Sequence, residues 1–156
     1  MDLVHFADLT AEQRKRIIHS SLFLKEKYNE EGVLERIKAR LVGRGDEMDR
    51  ELYGSGSSPT VATEAVAIML AQSAAYNEVR FFIDIGTAFL EAPMEGEEVY
   101  VYISKSLTEY MVKAIPEAAA FIDGKGRVLV KLLKALYGCI QSSRLWYEHL
   151  RKILVR

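Results

Sequence analysis

The stretch FLKEKYNEEGVLERIKARLVGRG, Phe23 to Gly45, decides how this chain is read. Phe23, Lys25 and Lys27 alternate against Leu24, Glu26 and Tyr28, as they do on a strand, where successive side chains face opposite ways. Asn29-Glu30-Glu31-Gly32 follows as a turn, with glycine where a positive φ is easiest. Val33 to Val42 is a second β-like run, so the whole reads as a hairpin projecting into solvent. On its second strand Arg36, Lys38 and Arg40 fall two apart and share one face. Such a row grips a polyphosphate, with arginine forking around oxygens and lysine acting as a point charge. It equally suits a solvated face whose charges discourage edge-to-edge pairing.

Outward from the hairpin, Thr10 to His19 reads as a short helix or lead-in. Gly43 to Ser58 holds Gly43, Gly45, Gly54 and Gly56 among serines and aspartates, and reads as a flexible loop. Ser58-Pro59 opens a helix over Thr60 to Asn77, with Ser58 as cap. Val61, Ala65, Ile68, Met69 and Gln72 give that helix a largely apolar face for packing on a sheet. VRFFIDI, Val79 to Ile85, is a short apolar run that reads as a buried strand. Glu98 to Ile103 and Arg127 to Leu133 are further strands; Leu107 to Ala114 is a helix that Pro116 ends. Ser142 to Val155 is an amphipathic helix with Leu145, Trp146, His149, Ile153 and Leu154 on one broad face. Hairpin, helix, strand, strand, helix, strand, helix is a mixed order without βα alternation, which predicts an α+β domain.

Bulk properties narrow the classes. The chain has 156 residues, 49% of them hydrophobic and 28% charged, a globular rather than a disordered composition. No apolar run approaches the roughly 20 residues that cross a bilayer, so no membrane is expected. The one cysteine, Cys139, excludes an internal disulfide and a cysteine-based zinc site, and fits a reducing, intracellular compartment. The net charge of −1 hides an uneven spread. Lys125 to Arg156 carries eight Lys and Arg and one acid, whereas Glu91 to Asp123 carries seven acids and two lysines.

Two further places carry chemistry. Asp84 ends the apolar run and precedes Gly86-Thr87-Ala88-Phe89. A carboxylate at the tip of a rigid strand suits a hard cation such as magnesium, which takes one or two carboxylates plus substrate phosphates. The alternative is that Asp84 caps the following turn. Leu136-Tyr137-Gly138-Cys139-Ile140-Gln141-Ser142 turns into the last helix. Gly138 permits close approach of a ligand to the backbone, and Tyr137 can stack on a base. Alternatively Ser142 caps the helix, and Tyr137 and Trp146 are core.

The hairpin, SSPTV, DIGTAFLEA, EEVYV and KALYGCIQSSRLWYEHL, in this order, resemble the copia class of retrotransposon reverse transcriptases, from about Leu22 to Leu150. The resemblance implies a fingers hairpin (about 18–45), a loop (43–58) and a partial palm (59–156) of a right-hand polymerase. It implies that Lys38 and Arg40 clamp the triphosphate of an incoming nucleotide. Asp84 and the Ile85 carbonyl would serve at magnesium, and Phe89 would lie under the sugar and reject a 2′-hydroxyl. Tyr137 and Gly138 would line the nascent base pair. The implied reaction is RNA-directed DNA synthesis on an RNA or DNA template-primer with deoxynucleoside triphosphates.

The sequence departs from the family in holding no Asp-Asp pair. Gly86 stands where many members have lysine, and Ser143 where many have proline. The resemblance therefore implies a chain lacking the paired-aspartate hairpin, the thumb and ribonuclease H, and inactive in isolation, since Asp84 alone cannot hold two cations about 3.5–4 Å apart. Without that hairpin the strand Val79 to Ile85 is expected to present a bare edge and to promote self-association. The alternative is a non-catalytic domain of retrotransposon origin that binds nucleic acid or protein.

Overall fold

The computed structural model describes residues 1–54 and 56–155; Ser55 of the expected loop and Arg156 lie outside it. A five-stranded sheet organises the chain, in the order β1-β5-β4-β2-β3. These are β1 (Asp2–Leu3), β2 (Ile17–Tyr28), β3 (Leu34–Gly43), β4 (Tyr100–Ile103) and β5 (Val128–Lys131). The helices are α1 (Ala11–Arg14), α2 (Arg50–Tyr53), α3 (Thr63–Ala75), α4 (Lys105–Ala114) and α5 (Ser142–Leu154). The domain is α+β with one mixed sheet.

β2 serves two partners in succession. Ile17, Ile18 and His19 pair in parallel with Tyr100, Val101 and Tyr102 of β4. From Ser20 to Tyr28 the same strand pairs antiparallel with β3. At the changeover the His19 amide donates to Glu47 Oε2 (2.7 Å) and the Arg44 amide to the His19 carbonyl (2.9 Å). Beyond it the hairpin keeps Leu41 packed on the main core and is otherwise largely exposed, and its turn is closed by Asn29 Oδ1, which accepts from the amides of Glu31 and Val33. Gly32 adopts φ +76 there, as the turn reading requires.

The period-two pattern sorts side chains to the two sheet faces. Val101, Ile103, Val128 and Val130 join Ile18, Leu136, Met48 and Tyr53 in the main core. Tyr100 and Leu129 meet Leu9 on the other face. A third cluster seats Leu145 of α5 against Ala92 and Ala135, with Phe89, Met94 and Trp146 packed on it.

Three expectations are corrected. Gly43 to Ser58 is not a plain flexible loop: it carries a 3-10 turn (Gly45–Glu47) and α2, and buries Met48 and Tyr53. Two apolar anchors outweigh the glycines around them. Helix α3 begins at Thr63, with Ala62 at its N-cap and no capping side chain, so Ser58 does not cap it. Its apolar face does not pack on the sheet; Val61, Ile68 and Met69 are exposed, and Ser73 is its one buried residue.

Val79 to Ile85 is not a buried strand either. No described strand pairs with it, and Val79, Phe81, Phe82 and Ile83 are 81–86% exposed. Strand propensity reflects fit to a half-buried pleated surface, and here no neighbouring strand supplies one. At the last helix Ser142 does not cap: Gln141 occupies the N-cap, and Ser142 Oγ donates to the Leu136 carbonyl (2.6 Å).

Candidate functional site

The base of the hairpin meets the turn before α5. The Gly43 amide donates to the Tyr137 carbonyl (2.8 Å). Gly138 sits at φ +89, and a side chain there would overlap the Gly43 carbonyl oxygen. The chain's own Gly43 carbonyl thus makes a close approach to Gly138. Only glycine satisfies both the left-handed backbone and the contact.

This junction brings three of the expected nucleotide-binding side chains together. The Arg40 guanidinium lies over the Tyr137 ring, 4.9 Å from its centroid. Tyr137 in turn meets Phe89 at 4.8 Å between centroids, tilted by 43°. Phe89 belongs to the 3-10 turn Ala88–Glu91, which Thr87 enters in the left-handed region at φ 54. A cavity of about 260 Å³ is lined by Lys38, Arg40, Leu41, Thr87, Leu90 and Tyr137. A second, of about 240 Å³, is lined by Phe23, Lys25, Lys27, Lys38 and Arg40. Lys38 and Arg40 belong to both.

Arginine stacked on tyrosine keeps its donor edge free for oxygens while its face is held. Tyr137 thus contacts both the Arg40 guanidinium and the Phe89 ring. Trp146 and Tyr137 are both half-buried: Trp146 packs against the third core cluster, and Tyr137 borders the cavity.

Asp84 and Ile85 are not part of a formed site. Both are exposed, on the unpaired segment. Among the described residues no group of three His, Cys, Asp or Glu stands close enough to hold a metal ion. The described residues do not by themselves offer the several oxygen ligands that each of a pair of magnesium ions needs.

Sequence reasoning missed Lys25 and Lys27 as companions of Lys38. The alternation on β2 was visible, but only the register shows that they lie opposite Lys38 and Arg36. It also missed Thr87, whose positive φ has no signal in a threonine.

Comparison with known proteins gives the family. Residues 5–156 match the family described as reverse transcriptase (RNA-dependent DNA polymerase). Over 132 residues the chain is 32% identical to the retrovirus-related Pol polyprotein from transposon RE1 of Arabidopsis thaliana, covering 83% of this chain and 8% of that protein. Over 143 residues it is 31% identical to the transposon Ty1-LR2 Gag-Pol polyprotein of Saccharomyces cerevisiae, covering 91% of this chain and 7% of that protein. The chain thus spans under a tenth of the length of these relatives. No solved structure matches it. No helix among the described residues is long and apolar enough to cross a membrane. With nearly its whole length matched, the chain belongs to the copia-type retrotransposon reverse transcriptases.

Proposed function

We propose that the chain forms the fingers and part of the palm of its reverse transcriptase, and that the junction of hairpin and turn receives an incoming deoxynucleoside triphosphate. The observation that carries this is the Arg40–Tyr137–Phe89 stack beside Lys38. Lys38 and Arg40 hold triphosphate oxygens as a point charge and a fork. Phe89 underlies the sugar, and Tyr137, backed by Gly138, borders the base.

Reverse transcriptases generally use divalent metals and bind a template-primer. Asp84, with the Ile85 carbonyl, contributes one carboxylate to that chemistry. On its own the 156-residue chain binds the nucleotide and does not extend a primer, because further metal ligands are needed. A second copy of the chain is proposed to cover the bare apolar segment around Phe81.

Calorimetric titration with thymidine triphosphate tests the pocket. Arg40→Ala and Tyr137→Ala should each weaken binding about tenfold, the scale of one desolvated cation–π contact or charge-assisted hydrogen bond. Phe89→Ala should let the ribonucleotide bind as well as the deoxynucleotide. Wild-type affinity in both of the first two variants would sink the assignment, and primer extension on an RNA template would overturn the binding-only reading.

A further inference from the structure

Where β2 leaves the sheet for the hairpin, one exposed histidine touches both sides of the bend. His19 is the last residue of β2 to pair with β4, and Ser20 is the first to pair with β3. The ring Nδ1 of His19 lies 2.9 Å from Glu47 Oε2, in the 3-10 turn that follows β3. Its Nε2 lies 3.4 Å from Nη1 of Arg127, the residue before β5.

Both partners are held in turn. Glu47 Oε1 pairs with Arg44 Nη1 at 3.0 Å, and Arg44 Nη2 meets Asp46 Oδ2 at 2.7 Å. Arg127 donates to Asp123 Oδ2 through Nε (3.0 Å) and Nη2 (2.8 Å), and its guanidinium lies 3.8 Å from the centroid of the Tyr102 ring. That ring also stands 5.8 Å from the His19 ring. His19 therefore faces a carboxylate on one side and a cation on the other.

These partners decide where its proton sits. An ionised carboxylate only accepts, and a guanidinium only donates. The neutral ring with hydrogen on Nδ1 and a bare Nε2 satisfies both contacts. A second proton, on Nε2, sets donor against donor and cation against cation, so the Arg127 contact is lost. The Glu47 contact survives and becomes charge-assisted. Histidine changes charge between about pH 5 and 8. Burial raises the Glu47 carboxyl, but hydrogen bonds from His19 bring it below its ordinary value; at Asp123 hydrogen bonds from Arg127 outweigh burial in the same way. Both acids thus stay ionised while His19 titrates.

We propose that His19 is a positioning residue for the hairpin: as the Nδ1–H tautomer it bridges the turn behind β3 to β5 and fixes the angle at which the hairpin leaves the sheet, and a proton on Nε2 releases Arg127 and loosens that angle. Its effect on ligand rests on the pocket proposed above, whose Lys38 and Arg40 ride on the hairpin.

Nitrogen-15 spectra of the full chain read the tautomer directly, with His19→Asn identifying the His19 signals among the three histidines. At about pH 8, Nδ1 should show the shift of a protonated ring nitrogen and Nε2 that of a bare one. The amide shifts of Leu22 and Leu41, on the hairpin beyond the bend, should move between about pH 8 and 5.5 with the midpoint of the ring, and should stay still in His19→Gln.

The two variants divide the contacts. His19→Gln keeps an acceptor for Arg127 that cannot titrate, whereas His19→Asn keeps a donor for Glu47 and lacks the atom that meets Arg127. Thymidine triphosphate affinity is taken relative to wild type at each pH, which cancels the ionisation of the ligand. His19→Asn should bind about threefold more weakly than wild type at the higher pH, the scale of one exposed charged contact, and equally at the lower. His19→Gln should match wild type at the higher pH and bind about threefold more tightly than it at the lower.

A protonated Nε2 with a bare Nδ1 at the higher pH, as in free histidine, would overturn the bridge. So would Leu22 and Leu41 amides that ignore the titration of the ring, or variants whose ratios to wild type are the same at both pH values. If no version of the chain binds the triphosphate while the ring and amide shifts behave as stated, the pocket falls and the bridge is supported.

Discussion

Glu98 accepts from Lys131 Nζ, from Gln13 Nε2 at 3.0 Å and from Tyr100 Oη at 2.8 Å, while its carbonyl accepts from Tyr53 Oη at 2.9 Å. One residue thereby ties the end of α1, β4, β5 and α2 together. The lysine first, then Gln13 and Tyr100, pull its carboxyl from 4.5 to about 2. Burial, with the Glu98 hydrogen bond second, pushes the Tyr100 phenol up to about 12, so it stays a neutral donor. A folded-state value below the unfolded one means that Glu98 contributes stability above about pH 4.5, and that this contribution is lost as pH falls toward 2. The Glu98 and Lys131 side chains are each 32% exposed, so after discounting for solvent the contribution is about 1–2 kcal/mol. Lys131→Met should lower the melting temperature at pH 7 and flatten its fall between pH 4.5 and 2. Parallel acid limbs for the two proteins would show that the lysine does not set this titration.

The hairpin of β2 and β3 was legible because its signals are local: period-two alternation and an Asn29-to-Gly32 turn. The α+β class and the strands β4 and β5 were legible for the same reason. The meeting of Arg40 with Tyr137 was not legible from residue patterns, since it depends on two segments far apart in sequence, joined at Gly43 and Gly138. Resemblance to a family brought those residues together in the reading, whereas spacing could not. Val79 to Ile85 and the face of α3 were misread because apolar content reports what a segment can bury, not whether a partner covers it. The same junction gives a test of how one turn supports another. Gly138→Ala must place a side chain at φ +89 and against the Gly43 carbonyl. It should cost about 2–4 kcal/mol in urea denaturation, and should weaken triphosphate binding by moving Tyr137 away from Arg40. A variant with wild-type stability and binding would mean that the turn relaxes without disturbing the hairpin.

Across the whole molecule, apolar surface is divided unevenly. The sheet is covered on both faces by its own clusters, yet Val79, Phe81, Phe82 and Ile83 stand 81–86% exposed. Asn77 and Thr87, both at φ 54, bracket this segment with turns, and α3 adds exposed Val61, Ile68 and Met69. Burying one such side chain is worth about 1.5–3 kcal/mol, so several together offset much of the entropy of ordering a short segment. Within 79–85 no ladder hydrogen bond occupies the backbone, and Val79, Phe81, Ile83 and Ile85 alternate with Arg80, Phe82 and Asp84. An unpaired run of this kind pairs most readily with its own copy, in register, as one strand beside another. The chain is therefore predicted to self-associate at micromolar concentration through residues 79–85. Light scattering should give a mass that rises with concentration, and hydrogen exchange should show those amides open in dilute protein and protected in the associated form. Phe81→Lys with Ile83→Lys puts two charges on one side of the segment and should return the mass to that of a single chain. A mass fixed at one chain at every concentration, with amides 79–85 already protected, would mean that another part of the molecule covers the segment in solution and that the apolar surface is not available for pairing.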